Sequence, residues 1–539
     1  MILTAIWRFN VDNIDYNKLR GGYYTPEKIC DWIVSNCIGE KDKEILEPSC
    51  GDGNFLQSLC KYGYSNVTAV ELDAEEAKKA SKYGFSVINN DFFSYYKDNI
   101  DGIRKYDMIV GNPPFIRYQN FIEEYRTIAF SLMNKYGFHP NRMTNIWLPF
   151  LVLSCMALKE DGKLCMVIPA ELFQVDYAAE TRLFLSDYFE KLTLITFKEL
   201  IFEDIQQEVI ILYGERKSQE KGIKVLELDN LASFDCLEHE QSNEIKKINH
   251  TKDKWVKYYL SNSELELLDA LNNDDRISSA SDLFEINVGL VSGENKFFVL
   301  NKEQVSEKGL IGCVEPIVSR SDQLQGAIFS NTDLHNLQRD GKRVYLFSPA
   351  KESSMQGYDE SEYIHYGEEI GISKNYKCRI RKPWYHIKKT WLPEGFFIRQ
   401  ANKYPKMILN NTKANVTDTV HKIRFIDSNN KDAIVSAFYN TYTFALAETL
   451  GRSYGGGVLT FEPNEVRSFR IPMLNSQKLD IQLVNEHIRN GKIEEMLFYT
   501  DKILLMEGLG LSNNDIQKLH SIWDKLSNRR LTRKRSAAK

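Results

Sequence analysis

The chain has no apolar run approaching the about 18 residues that a membrane-crossing helix needs. Its first residues, Met1 to Asn13, lack the pattern of a signal peptide. The nine cysteines (Cys30, Cys37, Cys50, Cys60, Cys155, Cys165, Cys236, Cys313 and Cys378) are odd in number and never spaced as C-x-x-C. That excludes a disulfide framework and a structural zinc site, and predicts reduced cysteines in the core of a cytoplasmic protein. There is no internal repeat and no low-complexity tract. What is present is ordinary for a globular protein, with 43% hydrophobic and 27% charged residues. At 539 residues the chain is too long for one hydrophobic core, so two or three domains are expected.

The net charge of −5 hides an asymmetry. Residues 1–250 hold 28 Lys and Arg against 38 Asp and Glu, whereas residues 251–539 hold 41 against 36. Between Gly371 and Arg424 there are 13 basic residues and two acids, Glu394 and Asp418. An acidic first half and a basic second half fit a catalytic part joined to a part that binds a polyanion.

In the first half, short apolar segments alternate with helical patterns. Strands are expected at Glu44–Glu47, Val67–Asp73, Phe85–Asn89, Tyr106–Val110, Lys163–Pro169, Leu192–Phe197 and Glu208–Tyr213. Helices are expected at Pro26–Ile38, with Thr25 as N-cap, and at Gly53–Tyr62, Ala74–Lys82, Phe121–Lys135 and Asn145–Lys159. This alternation predicts an α/β fold with a doubly wound, mostly parallel seven-stranded sheet. The last two strands are too close in sequence for a crossover helix, so one of them should run antiparallel. Arg216–Lys221 is a candidate linker. Domains are placed at 1–240 and 241–539; the second is expected to be mixed α+β, ending in helices and the basic tail Arg529–Lys539.

Four positions carry the chemistry. The strand-to-helix turn Glu47-Pro48-Ser49-Cys50-Gly51-Asp52-Gly53 has the glycines that a close ligand requires. Its acids would repel a pyrophosphate and suit a ligand with a cationic centre and an amino group, such as S-adenosylmethionine. Glu71 closes the second strand, where an acid can accept from both ribose hydroxyls. Asp91 follows the third strand, placed to accept from an adenine amino group with Phe92 beside the ring. The fourth strand ends in Gly111-Asn112-Pro113-Pro114-Phe115. There an amide oxygen and a backbone carbonyl can accept both hydrogens of a poorly nucleophilic amine, while the prolines fix the backbone and Phe115 offers a stacking face.

Gly21-Gly22-Tyr23-Tyr24-Thr25-Pro26, the Glu47–Phe55 turn and Asn112–Phe115 occur in an order that resembles the gamma class of N6-adenine DNA methyltransferases of type II restriction–modification systems. The similarity covers the first 215 residues well. It is weaker in the second half, at residues 288–298, at Arg381-Lys382-Pro383-Trp384-Tyr385 and at residues 451–459. The resemblance implies the S-adenosylmethionine-dependent methyltransferase fold followed by a target-recognition domain. By the same resemblance Thr25, Glu47, Pro48 and Gly51 would hold the methionine part of the cofactor, Glu71 its ribose, and Asp91 with Phe92 its adenine. Asn112 and Pro113 would hold the target amine, with Pro114 stiffening the loop. Phe115 would stack on a base flipped out of double-stranded DNA. A second aromatic would close the base pocket; Phe202 matches best, with Phe197 as rival. Many members carry Tyr where this chain has Phe115.

The implied activity is site-specific adenine-N6 methylation that protects host DNA from a partner restriction endonuclease, by a monomer that needs no metal. An RNA-base or protein-glutamine methyltransferase uses the same kind of amine site and is the nearest rival. A non-catalytic DNA-binding module and a fused modification–restriction enzyme are the others. The basic stretch, interleaved with Tyr376, Trp384, Tyr385, Trp391, Phe396, Phe397 and Tyr404, is expected to contact phosphates. Arg381 and Trp384 are its candidates for influencing sequence preference.

Overall fold

A computed structural model describes residues 24–199, 201, 208–234, 244–349, 358–454 and 457–532. The chain forms two compact units, one reaching Asn262 and one spanning Ser263–Thr532. The division falls later than the expected 240/241 boundary because the intervening segment is fastened to the first unit. Lys246 exchanges backbone hydrogen bonds with Ile223 at 2.8 Å. The buried Arg182 guanidinium donates to the carbonyls of Lys252 and Asp253 at 3.0 and 2.8 Å.

The first unit is built on one sheet. Its strands are β1 (Ile45–Glu47), β2 (Val67–Glu71), β3 (Ser86–Asn89), β4 (Tyr106–Gly111), β5 (Leu158–Pro169), β6 (Lys191–Phe197), β7 (Val209–Glu215) and β8 (Gly222–Leu228). They lie in the order β3-β2-β1-β4-β5-β7-β6-β8. Only β7 opposes its neighbours: it pairs antiparallel with both β5 and β6, while the other pairs are parallel. The antiparallel strand expected near the end of the sheet is therefore β7.

Among the described residues the sheet has eight strands, not the seven expected. The extra one, β8, begins directly after the polar segment that reads as a linker. It lies at the sheet edge with most of its residues half-exposed, so its sequence lacks the fully apolar run of a central strand.

The helices are α1 (Glu27–Cys37), α2 (Asn54–Lys61), α3 (Ala74–Ala80), α4 (Phe92–Asn99), α5 (Glu123–Lys135), α6 (Trp147–Met156) and α7 (Ala179–Tyr188). Helix α1 starts one residue late, with Pro26 rather than Thr25 at the cap; proline supplies the fixed φ and lacks only an N–H that would be unpaired there anyway. Ile29, Ile33 and Val34 of α1, with Phe55, Leu56 and Leu59 of α2, form one core with Ile45, Val67, Met108 and Val110 of the sheet. That packing fixes where the turn between β1 and α2 must sit. Helix α6 is buried almost throughout, which is why its sequence has no polar face.

The second unit contains a five-stranded sheet ordered Phe284–Val288, Val420–Phe425, Gly395–Ile398, Met407–Asn410 and Ile328–Phe329, together with smaller sheets of four, three and two strands. Phe397 packs edge-on against Phe438 and Phe461 inside it. The last helix, Asn513–Thr532, is locked to Thr441–Leu450 by a bidentate ion pair between Arg530 and Glu448 at 2.7 and 2.8 Å. Both residues are only 4% exposed. Removing one charge strands the other in a low-dielectric site, at a cost of about 3–5 kcal/mol. Arg530→Ala should lower the urea stability of this unit by that amount; a change under about 1 kcal/mol would show that the pair is not needed.

Candidate functional site

The strand order changes direction between β1 and β4, and such a switch point opens a crevice at the carboxyl ends of the strands. The four sequence motifs lie at the ends of β1, β2, β3 and β4. Gly51 and Gly53 in the β1–α2 turn have φ of +53° and +97°, a region that L side chains avoid. A Cβ on Gly51 would stand 3.1 Å from the Tyr24 ring, and one on Gly53 3.1 Å from the Ala80 backbone. The turn needs both glycines.

Glu71 braces this turn with both oxygens. Oε2 accepts from the Gly51 N–H and Oε1 from the Asp73 N–H, each at 2.8 Å. The Cys50 N–H donates to the Val70 carbonyl at 3.0 Å, tying β1 to β2 just above. Thr25 is buried beside this turn, and its carbonyl accepts from Asn54 Nδ2 at 3.0 Å.

The electrostatics of the turn are unbalanced. Glu47 is 1% exposed, and its Oε2 has no hydrogen-bond partner among the described residues. Burial pushes its carboxyl well above the usual range, and the charges of Glu71 and Asp52 push it further. Burial also raises Glu71, with Asp73 and Glu76 adding to the shift against two opposing backbone hydrogen bonds. Asp52 is raised by burial and by Glu76, only partly opposed by Lys82 and Lys79. A site of this kind fits a ligand that brings positive charge and N–H or O–H donors, which matches the sulfonium, ammonium and ribose groups of S-adenosylmethionine. Tyr24, which the sequence reading did not single out, belongs to the same group. Its ring covers Gly51, and burial plus the charges of Glu76, Asp52 and Glu71 raise its hydroxyl pKa. The signal was its position one residue before Thr25.

Asp91 caps α4: its Oδ2 accepts from the Ser94 N–H at 2.8 Å and from the Ser94 hydroxyl at 3.1 Å. Phe92 is a core residue with one face on Phe150, the ring centroids 5.1 Å apart. Sequence spacing alone does not separate a ring beside a ligand from a ring inside the first turn of a helix.

The Asn-Pro-Pro-Phe loop meets the acidic turn directly. A Cβ on Gly111 would lie 3.3 Å from the Pro48 ring. The Ser49 hydroxyl donates to the Asn112 carbonyl at 3.2 Å. Asn112, Pro114 and Phe115 are half-buried, Pro113 is buried, and Phe115 leans on the core that carries β1 and β4. Phe202 lies outside the described residues. Its rival Phe197 is buried at the end of β6 and packs edge-on against Phe234 at 5.7 Å, so it is a core residue. Among the described residues, no group of three or more His, Cys, Asp or Glu could hold a metal ion.

In the second unit, much of the basic stretch is already engaged. Arg381 donates to the carbonyls of Ser292 and Val291. Trp384 packs on Phe297 and Phe298, and its indole N–H donates to Glu368 at 3.0 Å. Lys389 pairs with Glu315 at 2.5 Å, Arg424 with Glu285 at 2.6 Å and Arg399 with Glu462 at 2.6 Å. Phe396, Phe397 and Tyr404 are interior residues or stack on interior rings. Alternating basic and aromatic residues therefore serve partly to build this unit, which a count of cations cannot reveal.

Two family models match the chain. Residues 52–202 match the Eco57I restriction-modification methylase, and residues 252–505 match the C-terminal domain of the type II methyltransferase M.Eco57I. The chain is 24% identical over 524 residues to the type II methyltransferase M.AccI of Acinetobacter calcoaceticus, covering 91% of this chain and 94% of the relative. It is 25% identical over 375 residues to M.HindII of Haemophilus influenzae, covering 64% and 70%. Among solved structures, the type IIG restriction endonuclease BpuSI aligns over 96% of this chain and 67% of its own, with a TM-score of 0.40 and 14% identity.

The buried acids give the site a pH signature. Below the unfolded carboxylate range, about pH 4, they are neutral in both states and cost the fold nothing. As pH rises through their raised native values, ionisation is resisted in the folded state, and stability is lost. Glu47→Gln should therefore raise the melting temperature of the ligand-free chain by several degrees at pH 8, with a gain that shrinks toward pH 5. A difference independent of pH in thermal scans would mean that Glu47 carries no such cost.

Proposed function

We propose that this relative of the type II restriction–modification methyltransferases is a site-specific DNA methyltransferase that acts on the N6 amine of adenine with S-adenosylmethionine. The observation that supports the reading is the contact between the acidic turn and the Asn112 loop, which would put a site for a cationic cofactor beside one for an amine. When bound, the cofactor supplies an electrophilic methyl group on a positively charged sulfur. Glu47 and Asp52 provide the negative surroundings for its charged groups, Glu71 accepts from the ribose, and Asp91 accepts from the adenine amine. Thr25, Pro48 and Gly51 shape the wall around the methionine portion. Phe92 supports the adenine side from within the core, and Tyr24 covers the turn.

On the acceptor side, Asn112 Oδ1 and the Pro113 carbonyl each accept one hydrogen from the target amine. Paired in this way, the nitrogen is drawn toward tetrahedral geometry, and its lone pair becomes available to the methyl group. Pro113 and Pro114 restrict the loop so that both acceptors are placed before the substrate arrives. Phe115 stacks on the base once it has left the duplex, which costs a few kcal/mol of unstacking. Phe202 is retained as the second aromatic. The exposed cations of the second unit favour a nucleic acid over a protein glutamine as acceptor, and the similarity to type II methyltransferases favours duplex DNA over RNA. A partner endonuclease in the same restriction system completes the reading.

Asn112→Ala should lower turnover by at least about 100-fold, the scale of a lost positioned hydrogen bond in the transition state. DNA and cofactor affinity should stay near those of the parent, because phosphate contacts dominate binding. Substantial methylation by a folded Asn112→Ala protein would overturn the amine-holding role. Glu71→Ala should weaken S-adenosylmethionine binding by about 1–3 kcal/mol in calorimetry, through the lost acceptor and the loosened turn. Unchanged affinity would remove Glu71 from the site.

A further inference from the structure

The segment from Ile372 to Lys382 holds five cations, Lys374, Lys377, Arg379, Arg381 and Lys382, and no acid. It forms two short turns, Ile372–Lys374 and Tyr376–Arg379. Only Cys378 in it is fully buried; Tyr376 is 65% exposed and Ile380 60% exposed, with Lys374, Lys377, Arg379 and Lys382 exposed around them. Two large apolar side chains, Tyr376 and Ile380, thus stand in water among four exposed cations.

The segment is also held firmly. Gly293, at φ +91°, lets the neighbouring loop approach so closely that a Cβ there would stand 2.9 Å from Cys378 Sγ and 3.1 Å from Lys377 Cβ. Arg381 turns inward and clamps the Val291 and Ser292 carbonyls of that same loop. Burial of Cys378 and the inward turn of Arg381 leave Lys374, Tyr376, Lys377, Arg379, Ile380 and Lys382 exposed. The nearest acids in sequence, Glu368 and Glu369, are engaged: Glu368 accepts from Trp384, and Glu369 pairs with His365 at 3.3 Å. Among the described residues, no ion pair occupies Lys374, Lys377, Arg379 or Lys382.

We propose that Lys374–Lys382 is a docking edge for duplex DNA, in which Lys374, Lys377, Arg379 and Lys382 meet phosphates and Tyr376 with Ile380 forms an apolar wedge against the bases or sugars of a groove. Charge complementarity selects a polyanion. The pair of exposed apolar tips distinguishes a groove from a merely charged surface, since phosphate contacts alone give no use for them. This deepens the proposed DNA methyltransferase reading and rests on it only for the choice of polyanion.

The test compares the full chain with Tyr376→Ala/Ile380→Ala and Lys377→Gln/Arg379→Gln, by fluorescence anisotropy on a labelled duplex across a salt titration. Thermal scans verify that each variant is folded, as expected for exposed positions. The wedge variant should bind at least about 10-fold more weakly, with its salt slope unchanged, on the scale of lost stacking contacts. The charge variant should bind more weakly with a slope reduced by about 2, one for each phosphate contact removed. Parental affinity in both variants, as expected if the edge serves a protein partner, would overturn the proposal. A flattened slope with an unaffected wedge variant would overturn the wedge. Methyl incorporation by the parent is measured alongside. Duplex binding without methyl transfer would contradict the proposed reaction while leaving this edge in place.

Discussion

Glu71 reaching across from β2 to hold the Gly51 N–H is the constraint on which the first unit's chemistry depends. It fixes a turn that positive φ angles already confine to glycine, and it does so with a carboxylate that burial resists ionising. The turn then brings Glu47 into the core end of the crevice, where its Oε2 finds no partner among the described residues. A group in that state is a standing cost in the empty protein. Under the proposed function that cost would turn into affinity for a cationic, donor-rich ligand, so stability and binding would draw on the same acids in opposite senses.

The contact between Pro48 and Gly111 extends that constraint to the second half of the site. Glycine at 111 lets β4 leave the sheet close against the turn, and the Ser49 hydroxyl catches the Asn112 carbonyl as it does so. The Asn112–Phe115 loop thus takes its position from the Glu47–Gly53 turn. In the second unit a different balance holds. Five of the thirteen cations of the basic stretch, Arg381, Lys389, Arg399, Lys406 and Arg424, pair with acids or donate to carbonyls inside the unit, while a short edge keeps its cations and two apolar side chains in solvent.

Much of this was legible in the sequence because the relevant signals are local. A strand-to-helix turn with paired glycines, an acid at each following strand end, and Asn-Pro-Pro-Phe can each be read within a few residues, and they lie at the carboxyl ends of four neighbouring strands. What was not legible depends on tertiary partners. Strand β8 is an edge strand whose half-exposed residues give little apolar signal. Phe92 reads as a ligand-facing ring but stacks on Phe150, more than fifty positions away in sequence. Arg381 and Trp384 look like readers of DNA and are struts, because their neighbours Ser292 and Phe297 are brought to them only by the fold. Tyr24 stands in the Gly21–Pro26 motif but was given no role of its own, since nothing in sequence places its ring on a turn at Gly51.

The most direct measurement is nucleoside mass spectrometry of duplex DNA incubated with the full chain and S-adenosylmethionine carrying an isotopically labelled methyl group. The account predicts label in N6-methyladenine, confined to one sequence context and absent from RNA and from protein glutamine treated in parallel. Label in methylated cytosine, or in RNA or protein in place of DNA, would contradict it.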